Sequence, residues 1–135
     1  MSLTARLHIE GHAKQQDGLQ VISCSFGFVQ DVDKRGYPTS GVYGGQIELQ
    51  LLNENDPEII QWMFQSAADK NGKVTFHSDS TSTPSHSVHF RDGRLIKYHE
   101  SFKSETEVIV TLVITAREIE ISGETHTNIW SGYQP

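Results

Sequence analysis

The chain has 135 residues, of which 36% are hydrophobic and 21% are charged, and it contains one cysteine. This length predicts a single domain over residues 1–135 with one core, and the lone cysteine excludes an internal disulfide and a thiolate zinc site. Eleven Lys and Arg residues against seventeen Asp and Glu residues give a formal net charge of −6, which argues against nucleic acid as a partner.

The first part of the chain predicts three strands. The first has apolar residues alternating with polar ones, at Leu3, Ala5, Leu7 and Ile9. The second has its larger apolar side chains on one face, at Ile22, Cys24, Phe26 and Phe28. The third alternates at Ile47, Leu49 and Leu51. In this pattern Cys24 is interpreted as a small core residue and not as a nucleophile.

An extended loop is predicted between the second and third strands, over 30–45 (QDVDKRGYPTSGVYGG). The segment is rich in glycine and charge, contains a proline and shows no helical period. Loops of this length are usually functional or disordered. Two interpretations stay open at this point, a contact loop and an ordinary flexible insertion.

A helix is predicted over about 57–70. Its start shows a capping side chain, a proline suited to the first turn and an acid near the positive end of the dipole, at Asp56, Pro57 and Glu58. An apolar stripe at helical spacing is expected to face the core, at Ile59, Trp62 and Met63. A left-handed stop is expected at Asn71 and Gly72.

The chain beyond this helix predicts strands. One begins at Val74 and leads into a polar loop over 78–87, dominated by Ser and Thr. The return strand contains a turn or bulge signal at Asp92 and Gly93 and continues over 95–102.

A long strand is predicted over 107–121, followed by a polar tail over 124–135. Within the strand, 108–116 (VIVTLVITA) has no charge on either face, so both faces need cover. The cover is either a second subunit or, equally well, a closed barrel around the strand. Trp130 in the polar tail is either packed back onto the domain or an interface anchor.

No membrane segment or signal peptide is expected. The N-terminus lacks a continuous apolar run, and the most apolar stretch is far shorter than the roughly 18 residues of a membrane-spanning helix. We therefore expect a chain that starts in the cytosol and does not insert into a membrane.

The chain has seven histidines, but their spacing completes no known metal-ligand set: His8, His12, His77, His86, His89, His99 and His126. We expect exposed histidines and no metal. Two acid pairs have strand-like spacing, Asp31 with Asp33 and Glu118 with Glu120. Solvated charges are the favoured interpretation of both pairs, and no catalytic or cofactor-binding residue is assigned.

The chain resembles the tube protein of type VI secretion systems, the Hcp (TssD) family, in its divergent short-chain branch. The resemblance runs from about Leu3 to Trp130 and rests on the order of eight segments: LTARLHIEG, VISCSFGFVQDVD, RGYPTSGVYGG, IELQL, DPEIIQWMF, NGKVTFH, HFRDGRLIKYHESF and ITAREIEISGETHTNIW.

This resemblance implies a mainly β fold, with two packed antiparallel sheets forming a small β-barrel and one α-helix at its side. It implies a homohexameric ring with a central channel, and rings that stack into a tube. The implied partners are spike, sheath and baseplate components, with effector proteins in the lumen. It also implies a structural protein that is not an enzyme and binds no cofactor. Such a protein is cytoplasmic before firing and is secreted through the machine without a signal peptide.

In the family the extended loop reaches toward the neighbouring ring. The resemblance thus implies ring-stacking contacts at Asp31, Asp33, Lys34, Arg35, Tyr37 and Tyr43. A lateral interface is expected at Val108, Val110, Leu112 and Trp130, because a closed ring needs different patches on the two sides of each subunit.

Two other functions stay open. A monomeric β-barrel that binds a small ligand predicts an empty apolar cavity inside the barrel and no ring. A hydrolase that uses Glu118 and Glu120 predicts a cleft around these two carboxylates.

Overall fold

The computed structural model describes residues 3–38, 43–52, 56–65, 69–78 and 86–128. In chain order these residues form β1 (Leu3–Ile9), β2 (Leu19–Val29), β3 (Tyr43–Leu52), α1 (Pro57–Phe64), β4 (Lys70–Ser78), β5 (His86–Phe102), β6 (Val108–Ile121) and β7 (Glu124–Thr127).

The strands form one antiparallel sheet that closes on itself. Its order is β3-β2-β1-β4-β5-β6-β7, and an additional pairing between β3 and β6 closes the first six strands into a barrel. Because β6 is long, one of its edges holds two partners. β3 pairs with the stretch from Ile109 to Thr115, and β7 pairs with the stretch from Glu118 to Ile121. The prediction of a small β-barrel with one helix at its side is confirmed.

The core lies inside the barrel, and β6 shows how it is filled. Val110, Leu112, Ile114 and Ala116 are buried, whereas the residues between them are half-buried. This alternation follows from the two-residue period of a strand. One uncharged face of 108–116 is therefore explained by the barrel core, and the other face is directed outward.

Helix α1 is attached to the barrel at its first turn. Ile59 and Trp62 are buried in the core. Asp56 caps the helix, because its Oδ1 accepts the backbone N–H groups of Glu58 and Ile59 at 2.9 and 3.3 Å. The other oxygen, Oδ2, lies 2.7 Å from Nε2 of His12, in the connection between β1 and β2. The cap thus joins the helix to that connection.

The helix is shorter than the sequence predicts. It ends at Phe64 instead of Lys70, and Lys70 begins β4. The expected left-handed stop is also wrong, because Gly72 lies within β4 and pairs with both Ile9 and Phe90. Pairing with strands on both sides satisfies the backbone N–H and C=O groups of this segment within the sheet.

The signal at Asp92 and Gly93 corresponds to a bulge inside one continuous strand. Lys70 pairs with Gly93 while Gly72 pairs with Phe90, so β5 has one residue more than β4 in this interval. Asp92 adopts a φ of 54°, in the left-handed region that aspartate tolerates better than most residues. The predicted bulge is confirmed, and no chain reversal occurs here.

The two ends of the barrel carry different connections, since neighbouring strands are antiparallel. At the loop end, β2 leaves at Val29 and β3 enters opposite it at Tyr43, with the extended loop between them. At the turn end lie the connection 10–18 between β1 and β2 and the turn 103–107 between β5 and β6.

Candidate assembly surfaces

The described part of the extended loop is a small ordered hairpin built around Asp33. The Oδ1 atom of Asp33 accepts the backbone N–H groups of Arg35 at 2.8 Å and Tyr37 at 3.1 Å. The backbone N–H of Asp33 donates to the carbonyl oxygen of Tyr37 at 2.9 Å, and Val32 forms a bridge with Pro38. Asp33 therefore has a structural role within the loop, since it holds the tip in shape.

This hairpin presents a mixed surface of apolar and charged groups to solvent. Val32 and Tyr37 are 59% and 63% exposed, and the guanidinium of Arg35 lies 5.6 Å from the centre of the Tyr37 ring. Asp31 and Lys34 are exposed beside them. Exposed aromatic and arginine side chains on an ordered loop are typical of contact surfaces. The side chain of Tyr43 lies outside the described residues.

Two glycines and one asparagine fix the base of this loop. Asn128 Nδ2 donates to the carbonyl oxygens of Gly44 and Ala116, both at 2.9 Å. Gly45 has a φ of 79°, and a Cβ added there would lie 2.7 Å from Cδ1 of Ile119. No pattern in the sequence indicates Asn128, because its partners are backbone groups far away along the chain.

The four residues expected at a lateral interface differ in their exposure in the structure. Val110 and Leu112 are 1% and 0% exposed and face the core, so their side chains cannot contact another subunit. Val108 is half-buried, and Trp130 lies outside the described residues. The outward face of β6 instead carries Ile109 and Val113, both half-buried.

The strand β2 has an edge that lacks a partner in the described structure. β1 pairs with β2 only from Leu19 to Val21, so 22–29 pairs with β3 alone within the described ranges. A bulge after Val21 leaves Ile22 45% exposed. An unpaired edge offers backbone donors and acceptors to another chain.

The carboxylates of Glu118 and Glu120 lie on the outer face and are bound by arginines. Glu118 accepts Arg91 at 3.3 Å and Arg117 at 3.2 Å, and Glu120 lies 3.6 Å from Arg91. An acid for general catalysis has to exchange protons with a substrate, and these groups instead neutralise the two arginines. The arrangement therefore does not favour the hydrolase.

The expectation of exposed histidines is wrong for His12, which is 9% exposed and lies against Asp56. Several other histidines also contact protein groups. His8 Nδ1 lies 2.7 Å from the carbonyl oxygen of Gln15, and its Nε2 lies 3.1 Å from Thr75 Oγ1. His126 packs edge-on against Phe28, with ring centres 5.1 Å apart. Among residues 3–38, 43–52, 56–65, 69–78 and 86–128, no group of three or more candidate ligands for a metal comes together.

A groove of about 820 Å³ lies on the outer face of β1, β4 and β5. It is lined by His8, Glu10, Lys73, His89 and Arg91, among others. The barrel interior is filled by large side chains such as Phe90, Leu49 and Leu112, each at most 1% exposed. A ligand-binding barrel needs an interior cavity, and the groove lies outside the barrel.

The turn end carries one very exposed aromatic residue. Phe102, the last residue of β5, is 72% exposed, and the turn 103–107 that follows is exposed throughout. The turn is closed by a hydrogen bond from the N–H of Lys103 to the carbonyl oxygen of Glu107 at 3.0 Å. It bears Lys103, Glu105 and Glu107.

None of the described helices is long and apolar enough to cross a membrane.

Comparison with known proteins identifies a family and a shared fold. A family model described as hemolysin coregulated protein Hcp (TssD) matches residues 1–131. No curated protein matches the chain in sequence. The structure of Hcp1 from Flavobacterium johnsoniae is similar with a TM-score of 0.82 and 25% identity, over 93% of this chain and 99% of that chain.

Two further structures share the fold at lower identity. Hcp1 from Salmonella typhimurium has a TM-score of 0.71 and 13% identity, over 94% of this chain and 93% of that chain. A chain from the sheath/tube terminator of PVC, an extracellular contractile injection system, has a TM-score of 0.61 and 11% identity, over 87% of this chain and 92% of that chain. At these identities the likeness concerns the fold alone.

Proposed function

Because the chain belongs to the Hcp (TssD) family, a family of structural tube proteins, we propose that it forms hexameric rings that stack into the inner tube of a type VI secretion machine. The observation that carries this proposal is the family match over residues 1–131. The function is structural and not enzymatic. Its work is to present complementary surfaces to further copies of the same chain.

Lateral contacts within the ring use different surfaces on the two sides of each subunit, as a closed ring of identical chains requires. The outward face of β6, with Ile109 and Val113, supplies one candidate surface. The half-buried Val108 extends it, and we assign Trp130 to the same lateral contacts. The edge of β2 that lacks a partner among the described residues supports a second surface, since edge strands pair readily with other chains.

Contacts between rings use the extended loop. We assign them to Asp31, Lys34, Arg35, Tyr37 and Tyr43, with Asp33 holding the tip in shape. The exposure of Tyr37 and Val32 supports this role, because apolar surface on an ordered loop gains most when a partner covers it.

The assembled tube has further partners. In this proposal a spike protein caps the tube, a sheath surrounds it and a baseplate anchors it. Effector proteins travel in its lumen. The chain is made and assembled in the cytoplasm and leaves the cell through the machine.

The oligomeric state of the purified chain tests the ring. Sedimentation is expected to give a species six times the mass of the 15.2 kDa subunit, and negative-stain images are expected to show rings with a central channel. Val113→Arg places a charge on the outward face of β6 and should shift the chain toward monomer. Val113→Thr keeps the size and shape of the side chain and should retain rings. A strict monomer at high concentration would contradict the proposal.

A further inference from the structure

We propose that the outer face of β1, β4 and β5 binds an extended acidic peptide segment of another protein. This surface is called the basic face and consists of Arg6, His8, Lys73, His89 and Arg91. The inference goes beyond the proposed tube function. It does not depend on rings or on their stacking, because the basic face belongs to a single subunit.

The pairing of the three strands places the side chains of the basic face next to one another. His8 pairs with Lys73 across β1 and β4, and Lys73 pairs with His89 across β4 and β5. Arg6 and Arg91 lie two residues further along β1 and β5 and therefore share the same face. All five side chains are directed outward, since the buried core residues of each strand alternate with them.

Lys73 and Arg6 carry charges that their own subunit leaves without a carboxylate. Elsewhere on the barrel such charges are paired, as in the contact of 2.7 Å between Arg94 and Asp69. Within the described ranges neither Lys73 nor Arg6 forms an ion pair, and both are exposed. Opposite charges on neighbouring strands stabilise a sheet surface, but both cross-strand neighbours of Lys73 are histidines. An acidic partner therefore supplies what this face lacks.

The groove described above gives the basic face the shape of a binding site. Its volume of about 820 Å³ lies within the roughly 300–1,000 Å³ that is usual for ligand clefts. Lys73 and Arg91 line it on the sheet, and Gln15 lines it from the connection between β1 and β2. His8 Nδ1 donates to the carbonyl oxygen of Gln15 at 2.7 Å. This hydrogen bond holds the connection against the sheet, so the groove is formed before a partner arrives.

The spacing of the cations matches that of carboxylates on an extended chain. Arg6, Lys73 and Arg91 lie on one diagonal across the strands, and diagonal neighbours in antiparallel pairs are about 7–8 Å apart. Alternate side chains of an extended peptide share one face and repeat about every 6.6 Å. Acids at every second position therefore reach successive cations. The other diagonal through Lys73 begins near Glu10, whose carboxylate repels an acidic chain, so one direction is favoured.

A short protein segment suits this face better than a nucleic acid does. The whole chain has a formal net charge of −6, which repels a long polyanion, whereas a short acidic segment contacts the basic face alone. Arg91 is already bound by two carboxylates, those of Glu118 at 3.3 Å and Glu120 at 3.6 Å. The strongest contacts with the segment therefore belong to Arg6 and Lys73.

Peptide binding to the purified chain tests the inference. The probes are two fluorescently labelled peptides with blocked ends and equal composition, Glu-Ser-Glu-Ser-Glu and Ser-Glu-Glu-Glu-Ser. Fluorescence anisotropy at low ionic strength is expected to show tighter binding of the alternating peptide, and added salt should weaken it. Lys73→Gln should weaken binding of this peptide several-fold. Glu120→Gln releases Arg91 from one carboxylate and should strengthen it several-fold.

Lys97→Gln is the matched control for the lysine variant. Lys97 is also an exposed lysine on a strand, but it pairs with Val113 and lies outside the basic face. Equal weakening by Lys97→Gln and Lys73→Gln, or equal affinity for the two peptides, would show unspecific attraction of charge and overturn the inference. Tighter binding of a single-stranded oligonucleotide than of the alternating peptide would also overturn it.

The outcomes distinguish this inference from the proposed function. Rings that assemble normally and bind neither peptide would overturn the inference and leave the tube function standing. Peptide binding by a chain that forms no rings would overturn the tube function and leave the inference standing. Binding by a monomeric Val113→Arg variant but not by rings would show that a neighbouring copy covers the basic face, and the inference would then be wrong.

Discussion

Asp92 and Arg117 are joined across the β5–β6 ladder by an ion pair of 2.9 Å between Oδ2 and Nε. They lie between the backbone pairs Arg91–Glu118 and Gly93–Ala116. At this point the alternation of buried and outer residues is interrupted in both strands. Successive buried residues are three positions apart instead of two, from Phe90 to Gly93 in β5 and from Ala116 to Ile119 in β6. The ion pair thus marks the place where both strands bend together.

Variants of Asp92 should separate the ion pair from the backbone conformation. Asp92→Asn keeps a side chain that tolerates the φ of 54° and removes the charge, so we expect a loss of about 0.5–1 kcal/mol in the free energy of unfolding. Asp92→Val adds backbone strain and should cost about 1–3 kcal/mol more. Urea denaturation measures both values. Equal losses for the two variants would show that backbone strain is unimportant here.

The hydrogen bonds of His12, which lies against the cap of α1, define the tautomer of its ring. The backbone N–H of Lys14 donates to Nδ1 of His12 at 2.9 Å, so Nε2 must carry the hydrogen that binds Asp56. NMR of the ring nitrogens is expected to find the neutral Nε2–H tautomer. Asp56→Ala should cost about 1–3 kcal/mol, because it removes the cap and leaves His12 buried without its acceptor. Asp56→Asn keeps one oxygen that can cap the helix but turns an amide N–H toward the Nε2–H of His12, so it should lose the His12 contact, retain the cap and cost less than Asp56→Ala. If Asp56→Asn and Asp56→Ala lose the same free energy of unfolding, capping is not the main contribution of Asp56 to stability.

Local signals in the sequence predicted the barrel strands and the start of the helix. Asp56 and Pro57 are local signals, and the alternation along each strand is local too. The end of the helix was mispredicted because Gly72 is held by β1 and β5, which are remote in sequence. The inward direction of Val110 and Leu112 depended on barrel closure, which 108–116 alone did not determine. The hairpin around Asp33 and the role of Asn128 could not be predicted from the sequence, because both depend on backbone groups that only the folded chain brings together.

The thiol of Cys24 should react slowly and with an unusual pH dependence. Burial raises its pKa from 9.0 to about 11. At pH 8 this lowers the thiolate fraction about 100-fold, and alkylation should slow at least in proportion. The rate should keep rising above pH 9, where a thiol of ordinary pKa levels off. The urea-unfolded chain is the control, and a plateau near pH 9 in the native protein would contradict the shift.

The same shift predicts a loss of stability in alkali. A pKa raised in the folded state stabilises the fold fully below the unfolded value of 9.0, and this contribution is lost as pH rises through about 11. Unfolding free energies measured by urea denaturation between pH 8 and 11 should therefore fall. Cys24→Ala, which cannot ionise, should show a smaller fall over the same range. Parallel curves for the two proteins would contradict the prediction.

Two glycines with similar backbone angles should respond differently to alanine. Gly36 and Gly45 have φ values of 85° and 79°, but a Cβ at Gly36 meets nothing within 4 Å while one at Gly45 lies 2.7 Å from Ile119. Gly36→Ala should cost about 1 kcal/mol from strain alone. Gly45→Ala should cost at least about 1–3 kcal/mol more, because the core must move. Thermal unfolding measures the loss of stability in both variants. Equal losses would show that the side chain of Ile119 moves aside without a cost in free energy.

Asn128 should be essential for the base of the extended loop. Its Nδ2 group donates to the carbonyl oxygens of Gly44 and Ala116, and it thereby ties the start of β3 to β6 beyond their paired region. Asn128→Ala removes both donors and should cost about 1–3 kcal/mol. Asn128→Asp should cost more, because a carboxylate would face two carbonyl oxygens with no hydrogen to share. If stacking depends on the loop base, both variants should form rings and lose tubes, with the Asp variant more affected. Hydrogen exchange at the amides of 43–46 reports the loosening directly, and unchanged protection there in both variants would contradict this role.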